Sequence, residues 1–461
     1  MTEAIKQTLR DSARARWIAL VILSFTMFAG YMFTEVISPM KPILERTYGW
    51  DSSDFGTVTS AYGIFNVFLG MLIIVGILLD KFGIRTSTIA SASIMIIGAS
   101  LKWYAFKGGF SVTEEINLFG LVKLKEQVFY AALGFAIFGV GVEYAGITVS
   151  KSVAKWFKGK EMALAMGMQV AIARLGSFAP LAFGAYFATS QGVPFTILMV
   201  VLFLILGLIG FFYYNVMDKK LDKQIGEQTV YDSADDFRIS DLGVIIKNRG
   251  FWLVALLCVL FYGAVFPFYK YGPDLMVNKF GVSESWAGLL PSLVPFGTMF
   301  LTPFFGSIYD KKGKGASLMI LGAFLLIVVH IIFYLPFMNN VVIAFFNVIL
   351  LGIAFSLVPS AMWPSVPKII PEKQLGSAYA LIFWIQNMGL WGIPLAVGIV
   401  LDRTNPGVAA AKAAGEDIVY DYQSTWLIFV ALTFVALLVA FMIKAEDKRK
   451  GYGLELPNIA K

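Results

Sequence analysis

The sequence predicts an all-α polytopic membrane protein, with twelve transmembrane helices in two pseudo-symmetric six-helix bundles. Of its 461 residues, 58% are apolar and only 15% are charged, whereas soluble domains are roughly 45–50% apolar and about 25% charged. Apolar stretches of about 20 residues, the length that crosses a bilayer, recur along the chain. Each must be helical, because a lone segment in hydrocarbon has to satisfy its own backbone hydrogen bonds.

The predicted spans follow one another with short connections, apart from one long polar segment in the middle. They cover roughly residues 17–39, 55–79, 86–106, 128–150, 161–189, 193–216, 251–278, 285–309, 316–337, 340–366, 375–401 and 424–444. We therefore expect four regions: a first bundle over 1–217, a cytoplasmic linker over 218–248, a second bundle over 249–445, and a cytoplasmic tail over 446–461.

The lysines and arginines of the connections predict the orientation, since cytoplasmic loops carry more of them. With the N-terminus inside, the inner segments hold 26 of these residues. The outer segments hold nine, namely Lys41, Arg46, Lys102, Lys107, Lys123, Lys125, Lys279, Arg403 and Lys412. Both termini are thus expected in the cytoplasm, and the net charge of +7 is attributed to topology and not to nucleic-acid binding.

The scarcity of reactive side chains argues against an enzyme. The chain has a single cysteine, Cys258, and a single histidine, His330, which excludes a disulfide scaffold, a zinc cluster and a haem relay. His330 lies in a peripheral span and is expected to be structural. No nucleophile–base or metal-binding constellation is present, so we expect no cofactor.

Two turns carry the same pattern, Gly-x-x-x-Asp-Lys-x-Gly, at residues 76–83 and 306–313. The first glycine of the pattern, Gly76, allows close approach of another helix. Asp80 and Asp310 lie at helix ends, where each can face a basic residue or the positive N-terminus of a neighbouring helix. We interpret these aspartates, with Arg85, as gating residues that hold the two halves together on the inside. Parallel six-helix repeats around a midplane site are typical of secondary transporters.

Two ionisable residues lie deep within predicted spans, where charges are expensive and usually functional. Glu143 is about 18 Å above the inner face, and Arg174 about 21 Å, at 1.5 Å per residue. One interpretation is a buried ion pair that neutralises both residues. The other is a site for a zwitterion, whose amine faces Glu143 and whose carboxylate faces Arg174, and both can belong to one transport cycle.

Other polar residues lie within spans at several depths. Glu35 and Lys270 are nearer the outside, on helices 1 and 7, which are counterparts in the two halves. One interpretation is an ion pair that closes an outer gate, and the other is that the Lys270 side chain snorkels to the lipid headgroups. Asp274 is expected close to the surface and solvated. Further candidates for the substrate cavity are Tyr31, Tyr62, Asn66, Gln169, Tyr262, Trp363, Gln386 and Asn387.

Three stretches make the sequence similar to a known family. The repeated Gly-x-x-x-Asp-Lys-x-Gly turn resembles the signature loop of the major facilitator superfamily. The segments 138–143, 155–177 and 361–390 resemble the branch that contains the lysosomal dipeptide uniporter. In that branch the helix 4 acid and the helix 5 arginine are associated with the two termini of a dipeptide, which implies these roles for Glu143 and Arg174. Relatives often carry an arginine where this chain has Phe135, which argues against proton coupling by that route.

The sequence thus predicts an alternating-access carrier of short peptides, by uniport or proton-linked transport. The alternative is a proton-coupled carrier of a small organic anion, with Arg174 as its clamp and Glu143 as proton acceptor. A non-transporting receptor would need a larger cytoplasmic domain than residues 218–248. We expect a monomer. We favour the plasma membrane over the lysosomal membrane, because the N-terminal segment shows no acidic dileucine signal for lysosomal sorting.

The loop charges generate a first testable prediction. In cells that express single-cysteine variants, Lys314→Cys should be protected from impermeant thiol reagents, and Lys412→Cys should be labelled. The opposite labelling pattern would reverse the predicted orientation.

Overall fold

The spanning helices follow the predicted order along the chain. The computed structural model describes residues 8–118, 120, 122–225, 243–371 and 374–458. Ten of its helical segments are long and apolar enough to cross a membrane, and one further helical pair is bent. The unbroken helices are helix 1 (Ala13–Glu35), helix 4 (Glu126–Trp156), helix 5 (Met162–Gln191), helix 6 (Val193–Ile225), helix 7 (Arg249–Phe280), helix 8 (Leu289–Lys312), helix 9 (Gly315–Tyr334), helix 10 (Val341–Ile369), helix 11 (Leu375–Thr404) and helix 12 (Gln423–Lys450).

Helices 2 and 3 come from the bent pair. Helix 2 comprises Ser52–Ser60, Ile64–Phe68 and residues 71–82, and its parts meet at 61° where Gly70 adopts a φ of 60°. A second break at Gly83, with φ 75° and ψ 172°, separates helix 2 from helix 3, which runs from residue 84 to Tyr104. Glycine tolerates both positive φ values at no steric cost. With the break at Gly83 counted, the described residues form twelve spans, as predicted, and both ends of the described chain lie on one side, called here the terminal face.

The ends of the predicted regions fall within helices. Helix 6 continues to Ile225 and helix 12 to Lys450, so both extend into the expected linker and tail. Most of the predicted linker, residues 226–242, lies outside the described residues. The connection between helices 3 and 4 carries a small antiparallel sheet that the sequence analysis did not predict, with β1 (Glu115–Leu118) paired to β2 (Val122–Lys125) and Glu115 opposite Lys125.

A buried ionic cluster joins the two bundles at the face opposite the termini. Lys41 Nζ lies 3.0 Å from Asp274 Oδ2 and also binds Glu45, while Tyr420 donates to Glu45 at 2.9 Å. Tyr422 donates to Asp274. The expectation that Asp274 is solvated is wrong, because its side chain is completely buried. Lys41 was counted as a loop cation and is also buried, since it supplies the counter-charge that Asp274 needs.

Helix 2 is fixed to the second bundle at its first residues. The backbone N–H groups of Ser52 and Ser53 donate to the Asp402 carboxylate at 3.0 and 2.6 Å. These N–H groups have no partner within their own helix, and a carboxylate there also complements the helix dipole. Across the described residues, the hydrogen bonds and ion pairs between the bundles lie between the middle of the molecule and this opposite face. The structure is therefore closed at the face opposite the termini.

The first glycine of each repeated pattern is not in close contact with another helix. A Cβ atom at Gly76 or at Gly306 would meet no atom within 4 Å. The close approach predicted at Gly76 is therefore absent from this structure, because the closed contacts between the bundles lie on the other face.

The buried cluster generates the second prediction. Asp274→Asn removes a carboxylate from Lys41 and leaves Glu45 as its remaining acid, so it should lower the free energy of unfolding by about 3 kcal/mol. Denaturation of the purified protein in mixed micelles measures this loss. Asp417→Asn, at an exposed position on the same face, is the matched control and should change little. Equal stability of the Asp274 and Asp417 variants would show that the cluster does not stabilise the closed face.

Candidate substrate-binding cavity

A cavity lies between the two bundles. Six of the residues singled out in the sequence line it: Tyr31, Glu35, Tyr62, Glu143, Lys270 and Gln386. The other lining residues are Met27, Thr34, Thr59, Phe135, Val142, Gly146, Ser177, Phe266, Pro267, Leu390 and Pro394. The surface is thus mainly apolar and aromatic with a few charged groups, which is usual for small-molecule sites.

Glu143 is placed in the cavity by the packing of helix 4 on helix 2. A Cβ atom at Gly139 would lie 2.2 Å from the carbonyl oxygen of Tyr62, so only glycine permits this approach. The contact brings the Tyr62 hydroxyl to 2.7 Å from Glu143 Oε1, to which it donates. The Asn387 amide of helix 11 also interacts with this carboxylate. Glu143 is thus hydrogen-bonded to a neutral donor of its own bundle and lies beside a neutral amide of the other.

Arg174 of helix 5 is not paired with Glu143. Among the described residues, no carboxylate lies within 4.0 Å of its guanidinium. The group lies instead over the ring of Phe355, 5.2 Å from the centroid, and its Nη1 is buried without a hydrogen-bond partner. Arg174 stands one helical turn from Ser177, which lines the cavity. The interpretation as a buried Glu143–Arg174 pair is therefore wrong for this structure.

Glu35 and Lys270 form an ion pair at the end of the cavity towards the closed face. Lys270 Nζ lies 2.8 Å from Glu35 Oε2 and also donates to the Thr34 carbonyl at 2.6 Å. Ser38 donates to the same Glu35 oxygen at 2.7 Å. Lys270 is only 7% exposed, so the alternative interpretation, in which its side chain snorkels to the headgroups, is wrong. The pair joins helix 1 to helix 7 and hence one bundle to the other.

The remaining candidates lie beside the cavity and do not line it. Trp363 Nε1 donates to the Tyr262 hydroxyl at 3.0 Å, within an aromatic group on the second bundle. Asn66 Nδ2 lies 3.5 Å from Asn387 Oδ1 across the bundle interface. The remaining predicted residue of helix 5, Gln169, is buried and outside the lining. His330 is buried with its ring 5.3 Å from that of Phe429, in the peripheral packing expected for it.

The two aspartates of the repeated pattern and Arg85, which were predicted as gating residues, have partners within their own bundles. Asp80 accepts from Lys151 of helix 4, and Arg85 lies 2.8 Å from Asp222. Asp310 accepts from Asn458 of the C-terminal segment at 2.8 Å. The described contacts of these residues therefore do not connect the two bundles. The structure is closed at the opposite face instead.

Helical spacing could have identified some of the lining residues that the sequence analysis missed. Gly146 and Ser177 follow Glu143 and Arg174 by three positions, and residues three apart share a helix face. The lining residues Phe135 and Phe266 had no such signal, and neither had Phe355 beside Arg174, because the chain contains 41 phenylalanines.

Comparisons with known proteins agree with this architecture. The sequence profile described as Major Facilitator Superfamily matches residues 23–394. The "Lysosomal dipeptide transporter MFSD1" of Danio rerio is 26% identical over 460 residues, covering 96% of this chain and 89% of the relative. The protein of the same name from Homo sapiens is 28% identical over 84% of this chain and 80% of its own length. A bacterial homologue of the human lysosomal transporter Spinster, solved in an inward-facing and unoccupied conformation, superposes with a TM-score of 0.68 at 13% identity, covering 98% of this chain and 99% of that one. At this identity the superposition establishes the fold alone.

The Glu35–Lys270 pair generates the third prediction. If the pair closes the gate, Glu35→Lys and Lys270→Glu should each impair transport, because each places two like charges in contact. The charge-swapped double variant should recover more transport than either single variant, since contacting residues behave non-additively. Uptake into proteoliposomes measures this recovery. Losses that simply add would argue that the pair has no gating role.

Proposed function

The chain belongs to the major facilitator superfamily, and on that premise we propose that it is an alternating-access carrier of short peptides, principally dipeptides. It is a multi-pass membrane transporter of small molecules, as its family and its relatives are. The proposal concerns the substrate and the residues that bind it. Two relatives that cover most of the chain are named as dipeptide transporters.

The observation that carries the proposal is the separation of Glu143 from Arg174. One acid and one base lie in the same interior region, yet neither has an opposite charge from the described residues within 4.0 Å. A ligand that leaves water needs a counter-charge for each of its own charges. A zwitterion with an amine at one end and a carboxylate at the other would meet both requirements at once.

The chemistry of the two side chains assigns the ends of the substrate. The planar guanidinium of Arg174 can bind both oxygens of a carboxylate, and its buried Nη1 has no other acceptor. Glu143 would accept from the peptide amine in place of its bond from Tyr62. The aromatic and apolar lining, which includes Phe135 and Phe266, would surround the peptide side chains without selecting one charge.

A second candidate is a small organic anion. The unpartnered Nη1 of Arg174 favours this ligand as much as it favours a peptide carboxylate. In this case Glu143 would act as the proton acceptor, and ligands without an amine would bind as well as peptides do.

The remaining parts of the proposal follow from topology. We place the protein in the plasma membrane as a monomer, with both termini in the cytoplasm and the bundles at 1–217 and 249–445. The closed face with the Glu35–Lys270 pair would then be the outer one, and the Asp80, Arg85 and Asp310 turns would lie at the inner opening. Transport is by uniport or linked to protons.

The fourth prediction tests the binding of the two peptide ends. Arg174→Ala should weaken binding of a free dipeptide about 30- to 150-fold, the equivalent of about 2–3 kcal/mol, because it removes charge-assisted hydrogen bonds. Arg174→Lys keeps the charge but loses the fork, so its loss should be intermediate. Glu143→Gln should weaken free dipeptides strongly and N-acetylated dipeptides much less, since their neutral end needs no counter-charge. Thermal stabilisation of each purified variant by ligand measures the affinity.

The control is Glu416→Gln, an exposed acid in the connection before helix 12, which should bind both peptides like the parent. Undiminished binding of free dipeptides by Glu143→Gln would reject the zwitterion model and leave the organic anion. A loss that is equal for all ligands would assign a structural role to Glu143.

A further inference from the structure

Arg174 contacts an aromatic residue of the opposite bundle where a counter-ion would be expected. It belongs to helix 5 of the first bundle, and Phe355 belongs to helix 10 of the second. The guanidinium carbon lies 5.2 Å from the centre of the Phe355 ring. At this distance the ring quadrupole attracts the cation, and the attraction is largest where water is excluded.

The ring of Phe355 is held in place by its own neighbours. It is 1% exposed and contacts the rings of Tyr262 and Phe266, each with centroids 5.8 Å away. Tyr262 is fixed in turn by the hydrogen bond from Trp363. Phe355 therefore offers Arg174 a rigid surface and not a side chain that adapts to it.

Contact with an aromatic ring leaves the N–H groups of a guanidinium without a hydrogen-bond acceptor. An aromatic ring attracts the cation through its quadrupole and has no lone pair that accepts a conventional hydrogen bond from the five N–H groups. Nη1 of Arg174 is buried and has no hydrogen-bond partner, which agrees with such an arrangement. A carboxylate in the place of the ring would occupy the same N–H groups that an anionic ligand needs.

We propose that Phe355 is a positioning residue, which holds the Arg174 guanidinium without accepting its hydrogen bonds, so that its N–H groups stay free for the carboxylate of the substrate. This inference rests on the proposed role of Arg174. Because the contact crosses between the bundles, it also ties the orientation of Arg174 to the state that is closed at the face opposite the termini. The two access states then differ in carboxylate affinity through Phe355, although Phe355 itself binds no substrate.

The experiment compares three ligands in variants of the full-length protein. The ligands are a free dipeptide, the same dipeptide with an amidated C-terminus, and an N-acetylated amino acid as a simple carboxylate. Phe355→Leu keeps an apolar side chain but removes the ring face. It should weaken the two carboxylate ligands about tenfold and leave the amide unchanged. Phe355→Tyr keeps the ring and should retain most of the affinity.

The matched control is Phe268→Leu, a fully buried phenylalanine of helix 7 that packs on Phe333 away from Arg174. It should bind all three ligands with the selectivity of the parent. In an Arg174→Ala background, Phe355→Leu should cause no further loss, because the group it positions is gone.

The possible failures can be told apart. If Arg174→Ala leaves carboxylate binding intact, the proposed function is wrong, and any effect of Phe355→Leu then cannot pass through Arg174. If Arg174→Ala is selective but Phe355→Leu weakens the amide as much as the free dipeptide, or weakens neither, Phe355 is only a packing residue. Loss of affinity in Phe355→Leu that persists in the Arg174→Ala background would also overturn the inference.

Discussion

The cost of an unpaired charge in a low-dielectric interior governs the arrangement of this protein. Most ionised groups buried in the described helices have an opposite charge within hydrogen-bonding distance, as Lys41 has Asp274 and Lys270 has Glu35. These two ion pairs also connect the bundles, so the same contacts both compensate the buried charges and close one face of the protein. Opening that face would separate both pairs, and each separated charge would need water or a new partner.

Two interior cations are exceptions to this pairing, because an aromatic ring takes the place of a carboxylate beside each of them. Arg174 faces the ring of Phe355, and Lys102 Nζ lies 3.7 Å from the centre of the Phe135 ring without a hydrogen-bond acceptor. Aromatic rings compensate a cation less completely than a carboxylate does. A cation held in this way keeps part of its attraction for an anion, which is what a site that must bind and release its ligand requires.

The spans could be predicted from the sequence because hydropathy depends on local composition, and the helical rise then places each charged residue at a depth. Glu35 and Lys270 could be assigned similar depths on counterpart helices, and one of the two interpretations offered for them was their contact. Depth does not specify which neighbour a side chain faces. For this reason Asp274 was expected in water and Lys102 was counted with the outer loops, whereas both are completely buried. The Phe355 contact could not be predicted, because an aromatic partner for an arginine leaves no mark in a phenylalanine-rich sequence.

The two copies of the Gly-x-x-x-Asp-Lys-x-Gly turn share a sequence pattern but have different surroundings. Asp80 binds Lys151 of a neighbouring helix, whereas Asp310 binds Asn458 of the C-terminal segment. In the second turn, Glu455 accepts from the backbone N–H of Ser317 at 2.8 Å and so caps the start of helix 9. Lys368 of helix 10 donates to the carbonyls of Gly453 and Leu456, which fixes the same segment from the other side. A latch at Asp310 that reached across to the first bundle would have to give up the bond from Asn458, whose segment these other bonds hold in place, whereas Asp80 would exchange the bond from Lys151. The two bundles can therefore contribute unequally to closure of the terminal face, even though the pattern in their sequences is the same.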